Sequence, residues 1–145
     1  MSIPPAQVFQ KWLISKALGS DSDAETLLPW PVYVGFLPES PDDLIVVSDT
    51  TGAKDGRLMV GETIFHPGIQ IRIRSLDYVA GYTKAQDIFK ALDKIKNLNV
   101  VVNQSTVRIA AFTKSSDILN LGTDPETRRR QGFTINGTTT LQHVT

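Results

Sequence analysis

Hydrophobic and polar positions change rhythm sharply between Pro67 and Leu92. Ile69, Ile71 and Ile73 alternate with Gln70, Arg72 and Arg74, the two-residue period of a strand with one buried face. After Ser75-Leu76-Asp77 the period lengthens. Tyr78, Tyr82, Ala85, Ile88, Phe89, Leu92 and Ile95 recur at helical spacing, which predicts an amphipathic helix reaching to about Asn97. A first helix is predicted over Pro4 to Leu18, with Val8, Phe9, Trp12, Leu13 and Ala17 on one face and Gly19 as its stop. Gly19 to Glu25 reads as a polar loop.

The remaining apolar runs are short. Val32 to Phe36, introduced by Pro29-Trp30-Pro31, reads as a strand at a sheet edge or at its own start. Leu44 to Val47 reads as a brief apolar strand after the turn residues Pro38 to Asp43. Thr50 to Pro67, with Gly52, Gly56 and Gly61, reads as an extended flap whose Leu58–Phe65 part could pair as a hairpin arm. Val100–Val102 and Val107–Phe112 are two further strands separated by Asn103-Gln104-Ser105. Thr113 to Gln131 reads as a polar connection, and Gly132 to Leu141 as a last, β-branched strand. The expected architecture is α+β: one domain over 1–145, a mixed, mainly antiparallel sheet with two helices packed on one face, and the flap.

Composition narrows the function classes. The 145 residues are 41% hydrophobic and 21% charged, ordinary for a soluble domain that needs no covalent staple. Cysteine is absent, so disulfides, thiolate nucleophiles and Cys-ligated zinc are excluded. Lys plus Arg (15) balance Asp plus Glu (15), and the pI is near 6.7. That balance lacks the basic excess from which nucleic-acid binders draw affinity, and it leaves self-association unopposed by net charge. The amino terminus shows no secretory leader and no apolar run is long enough for a membrane span, so the expected setting is the cytoplasm, without membrane contact.

No catalytic constellation emerges. His66 and His143 have no companions at ligand spacing. Asp42, Asp43, Asp49, Asp55 and Glu62 could surround a hard cation, and Asp42, Asp43 and Asp49 with His66 could support a metal-dependent hydrolase, but the acidic set matches no ion-binding loop and the adjacent Asp42-Asp43 read as turn formers. Gly52 to Arg57 lacks the GK[ST] of a phosphate loop. No catalytic residue, metal or cofactor is therefore expected. The charged features that remain are Arg72 and Arg74 on one strand face, Arg108 near them, Lys54 and Arg57 in the flap, and Arg128-Arg129-Arg130. Each is either a solvated position or a contact to a neighbouring subunit, where arginine pairs bidentately with carboxylates. Nucleic-acid binding through the arginines is the alternative, and it would weaken steeply with salt.

Four pieces, in order, give the chain a family likeness. Gly35-Phe36-Leu37-Pro38 with Pro41-Asp42-Asp43 resembles a "G-F-x-P … P-D" turn, and Val46 to Gly52 a strand ending in a D-x-x-G loop. Ile69 to Tyr78 is similar to "I-Q-V-x-V-R-S-x-x-Y". Asp124 to Arg130 followed by Phe133-Thr134-Ile135 is similar to "D-x-x-x-R … F-x-V". Together they resemble the minor capsid or tail-terminator family of long-tailed, siphovirus-type bacteriophages. Trp30-Pro31, the long flap and the polar carboxyl end depart from it. The resemblance implies a structural virion protein, not an enzyme. It implies a ring of copies, a homohexamer, assembled in host cytoplasm and seated on the head-proximal end of the tail tube. Such a ring halts tube growth and offers its other face to head-tail connector proteins, with DNA only passing through the lumen. A head-completion or connector protein is the neighbouring alternative.

Overall fold

The computed structural model describes residues 3–23, 29–39, 41–53, 64–123 and 130–144. Among these described residues, two helices and eight strands follow one another as α1 (Pro5–Ser15), β1 (Ser20–Asp21), β2 (Pro31–Val34), β3 (Leu44–Ala53), β4 (Ile64–Ser75), α2 (Tyr78–Leu92), β5 (Leu98–Val102), β6 (Ser105–Lys114), β7 (Leu119–Thr123) and β8 (Gln131–Val144). The strands form a single mixed sheet in the order β1-β2-β3-β4-β8-β6-β5, and β7 pairs with β8 beyond the end of β6. Among the described strands, only the β1–β2 and β2–β3 pairs are parallel. The α+β, mainly antiparallel character expected from the sequence is therefore present.

The β4–β8 pair is the spine. Ile71 stands opposite Ile135 and Ile73 opposite Phe133, and all four are buried. Phe9, Trp12 and Leu13 of α1 and Ala85, Ile88 and Leu92 of α2 belong to the same core cluster as Ile69, Ile71 and Ile73. The stripe read for α2 thus reaches the core through Ala85, Ile88 and Leu92, while Tyr78 and Tyr82 stay on its shoulder.

Helix α1 ends earlier than expected. Ala17, not Gly19, takes the left-handed conformation (φ 58°), Leu18 N–H donates to the Leu13 carbonyl at 3.0 Å, and Ala17 N–H to that of Ile14 at 3.1 Å. This pair of bonds is the capping motif that glycine ordinarily closes, here carried by alanine at a cost of about 1 kcal/mol. Gly19 serves a different end: a Cβ there would lie 2.3 Å from the Val32 side chain, so glycine lets the chain pass close to β2. At the other end Pro4 supplies no side-chain cap. The Asp49 carboxylate reaches over from β3 and accepts the Ala6 N–H at 3.0 Å, where the helix dipole also favours a negative charge.

Several expected loops are strands. Ser20–Asp21 form β1, Leu119–Thr123 form β7 inside the stretch read as a polar connection, and β3 and β4 extend to Ala53 and from Ile64 into the stretch read as the flap. Their pairing resumes after an irregularity between Thr50 and Ala53: Ala53 opposes His66, and Phe65 opposes Leu141. The rest of the expected flap, 54–63, lies outside the described residues. Asn103 and Gln104 make a two-residue hairpin between β5 and β6, both at positive φ (48° and 67°), as a twisted hairpin requires. Among the described residues no helix is long and apolar enough to cross a membrane.

Candidate assembly surfaces

Asp42, Asp43, Arg74, Ser75, Asp77 and Arg130, all from the motif stretches, meet at one corner of the sheet by the start of α2. Arg72 and Arg74 do share a face of β4, opposite Val46 and Leu44 respectively. Their fates differ. Arg72 is exposed, whereas Arg74 retains only 6% of its accessible surface. The Arg74 guanidinium donates to the carbonyls of Pro41 (2.6 Å), Glu39 (3.2 Å) and Asp42 (3.3 Å). It thereby ties the segment between β2 and β3 across the end of β3. Leu44 and Val46 are buried on that side, as Ile45 and Val47 are on the core side, so this end of the strand is covered twice. The uninterrupted Leu44–Val47 run in the sequence reflects two buried faces.

Arg130 completes the corner. Its Nε and Nη2 both lie 2.8 Å from the same oxygen of Asp42. The Asp43 carboxylate accepts the Leu76 N–H at 3.2 Å, the Ser75 hydroxyl accepts the Asp77 N–H at 3.2 Å, and Asp77 caps α2 by accepting the Val79 N–H at 3.2 Å. Turn, strand end and helix start are thus sewn together by hydrogen bonds of charged groups, which are individually stronger than neutral ones.

These contacts account for most of the candidate ion-site residues. Asp42 and Asp43 are engaged in the corner, Asp49 caps α1, and the His66 Nδ1 lies 3.1 Å from the Thr140 hydroxyl. Asp55 and Glu62 lie outside the described residues, and among those described no cluster of three His, Asp or Glu residues is placed to hold a metal. The interface candidates are dispersed likewise. Arg74 and Arg130 meet at the corner, and Arg108 sits on β6 with its Nε 3.3 Å from the Asn99 side chain. Arg72 is exposed on β4, and Lys54, Arg57, Arg128 and Arg129 lie outside the described residues.

The surface that is left uncovered is apolar and was not singled out by charge. Val79 is 67% exposed, and Tyr78 and Tyr82 on the first turns of α2 and Leu76 just before the helix are partly exposed. Tyr78 and Tyr82 lie nearly parallel (7°), and both meet Phe133 edge to face, at 5.5 and 6.1 Å between ring centres. Gly81 permits this seat, because a Cβ there would come within 2.9 Å of the Phe133 ring. A second uncovered group is Phe36, 60% exposed, with Leu37 just after β2. A third is Leu119 and Leu121 on β7, all of whose residues are exposed. Val79 offered a signal in the sequence: it is a large apolar residue off the helical stripe. Beyond the α1–β2 loop, Lys84 donates to the Leu18 carbonyl at 3.1 Å and sits 5.3 Å from the Trp30 ring centre. Burial lowers its pKa from the lysine value of 10.5, and Asp87 partly offsets this.

The family described as "Bacteriophage tail terminator protein" matches residues 13–128, and the chain belongs to that family of structural tail proteins. No curated protein matches the chain.

Proposed function

We propose that this chain, as a single domain, forms a ring of identical copies, a homohexamer, on the head-proximal end of a siphovirus-type tail tube. There it stops tube growth and offers its other face to the head connector. The observation that carries the reading is the family match over residues 13–128. The geometry supports it. The frame is locked by the Asp42–Arg74–Arg130 corner, and exposed Phe36, Val79 and Leu121 remain available for neighbours. In this reading the ring is assembled in the host cytoplasm, DNA is a passenger of its lumen, and Arg72 and Arg108 are rim contacts. The alternative arginine-based affinity for nucleic acid has less support, because Arg74 and Arg130 are already engaged within the chain.

Tube-length control tests the proposal. Tail tubes formed from purified tube protein, incubated with this chain and then given fresh tube protein, stay at their original length and show a ring at one end by electron microscopy. Continued elongation at both ends contradicts it.

A further inference from the structure

A closed ring needs two different patches on each chain, one received by the other, because a patch that meets itself closes at two copies. The described surface holds a projection and a hollow that fit this requirement. The projection is Val79 with Tyr78 beside it. Its backbone is fixed by the Asp77 cap and its aromatic base by Phe133, so little freedom is lost when it is covered.

The hollow lies by α1 and β2. It measures about 260 Å³ and is lined by Pro4, Gln7, Asp23, Tyr33, Val34 and Phe36 among others. The Tyr33 and Phe36 rings meet edge to face at 5.5 Å. The volume is below the roughly 300–1,000 Å³ of small-molecule pockets and suits an inserted side chain. Strand β2 is second in the sheet order, while β8, on which the projection is braced, is fifth, so hollow and projection occupy different flanks. Charge agrees as well: Asp77 precedes the projection, and Lys11 follows Gln7 by one turn on the same side of α1.

We propose that Val79 of one copy seats in the hollow of the next, against Tyr33 and Phe36. The Tyr78 hydroxyl then donates to Asp23, and Asp77 faces Lys11. The inference rests on the ring reading and names the surfaces that close it. The contact is head-to-tail, so damage to either half leaves the other half of the same copy intact.

Val79→Asp and Phe36→Asp, both at exposed positions, supply the test by native mass spectrometry, with thermal melting to confirm that each variant is folded. Each variant alone is expected as single copies. Their equimolar mixture is expected as a one-to-one pair and nothing larger, joined by the intact hollow of the first and the intact Val79 of the second. Assembly of either variant like wild type, or a mixture that stays single, overturns the proposal. The chain has no cysteine, so a Val79→Cys/Phe36→Cys variant treated with a short bis-maleimide gives an independent reading. A ladder of linked copies ending at the closed ring supports the contact, whereas strong dimerisation of Val79→Cys alone shows a self-meeting patch and refutes it. Wild type that stays single even on tail tubes brings down the ring reading itself; wild type that assembles beside an unimpaired Val79→Asp brings down only this contact.

Discussion

The corner around Arg74 and the shelf around Val79 are only a few residues apart in sequence and opposite in use. At the corner, charged groups are turned inward and engaged: Arg74 by three backbone carbonyls, Arg130 by Asp42. On the shelf, apolar groups are turned outward and exposed among the described residues. Charge in this chain fastens the frame, and apolar surface is what the frame holds out. Arginines in a sequence are therefore ambiguous markers of an interface, because a guanidinium can be consumed by the backbone of its own chain.

The sharpest way to break this contrast is to treat the two neighbouring arginines of β4 alike. Arg74→Ala is expected to cost about 2–4 kcal/mol in denaturant unfolding, since it removes a buried side chain with its hydrogen bonds to the Glu39 and Pro41 carbonyls and frees the segment they belong to. Arg72→Ala should change stability by less than about 0.5 kcal/mol, as for a surface position. Equal losses would show that both arginines are structural, or neither.

A smaller effect is expected where a charge serves helix α1 from a distance. Asp49→Ala removes the acceptor of the Ala6 N–H and should cost about 1 kcal/mol by the same measurement. No change would mean that Pro4 and Pro5 already define the helix start unaided. Strained turns give effects of the opposite sign. Ala17→Gly and Gln104→Gly relieve positive φ at 58° and 67° and should each stabilise by about 0.5–1 kcal/mol.

The smallest effect is a pH dependence. Lys84 has a lowered pKa when folded, so between that value and 10.5 the unfolded chain binds more protons than the folded one. Stability from this group therefore rises as pH climbs through that window, and its burial cost is felt in full below it. Lys84→Met should remove this group's contribution to the change of melting temperature with pH in the alkaline range. An unchanged slope would assign the change to other groups.

Much of the frame was legible in the sequence. The alternation at Ile69–Arg74 and the helical stripe through Ala85, Ile88 and Leu92 were written in local periodicity, and the structure follows both. Strand β7 was not legible, because Leu119 and Leu121 alternate over only five residues and the whole strand is exposed, leaving no buried face to set a pattern. The end of α1 was obscured because alanine took a place that glycine usually marks. The corner was visible as motif residues but not as a unit: Asp42, Arg74 and Arg130 are brought together only by the pairing of β3, β4 and β8. The shelf was misread for a related reason. Tyr78 and Tyr82 lie on the helical stripe, yet Phe133 fills the space beneath them and leaves them half exposed.

The claim that this chain works by repeating itself around an axis is tested most directly by electron microscopy of the purified protein added to tail tubes. The account predicts one ring of identical copies at a single end of each tube. Tubes with bare ends, or isolated copies scattered along their length, would contradict it.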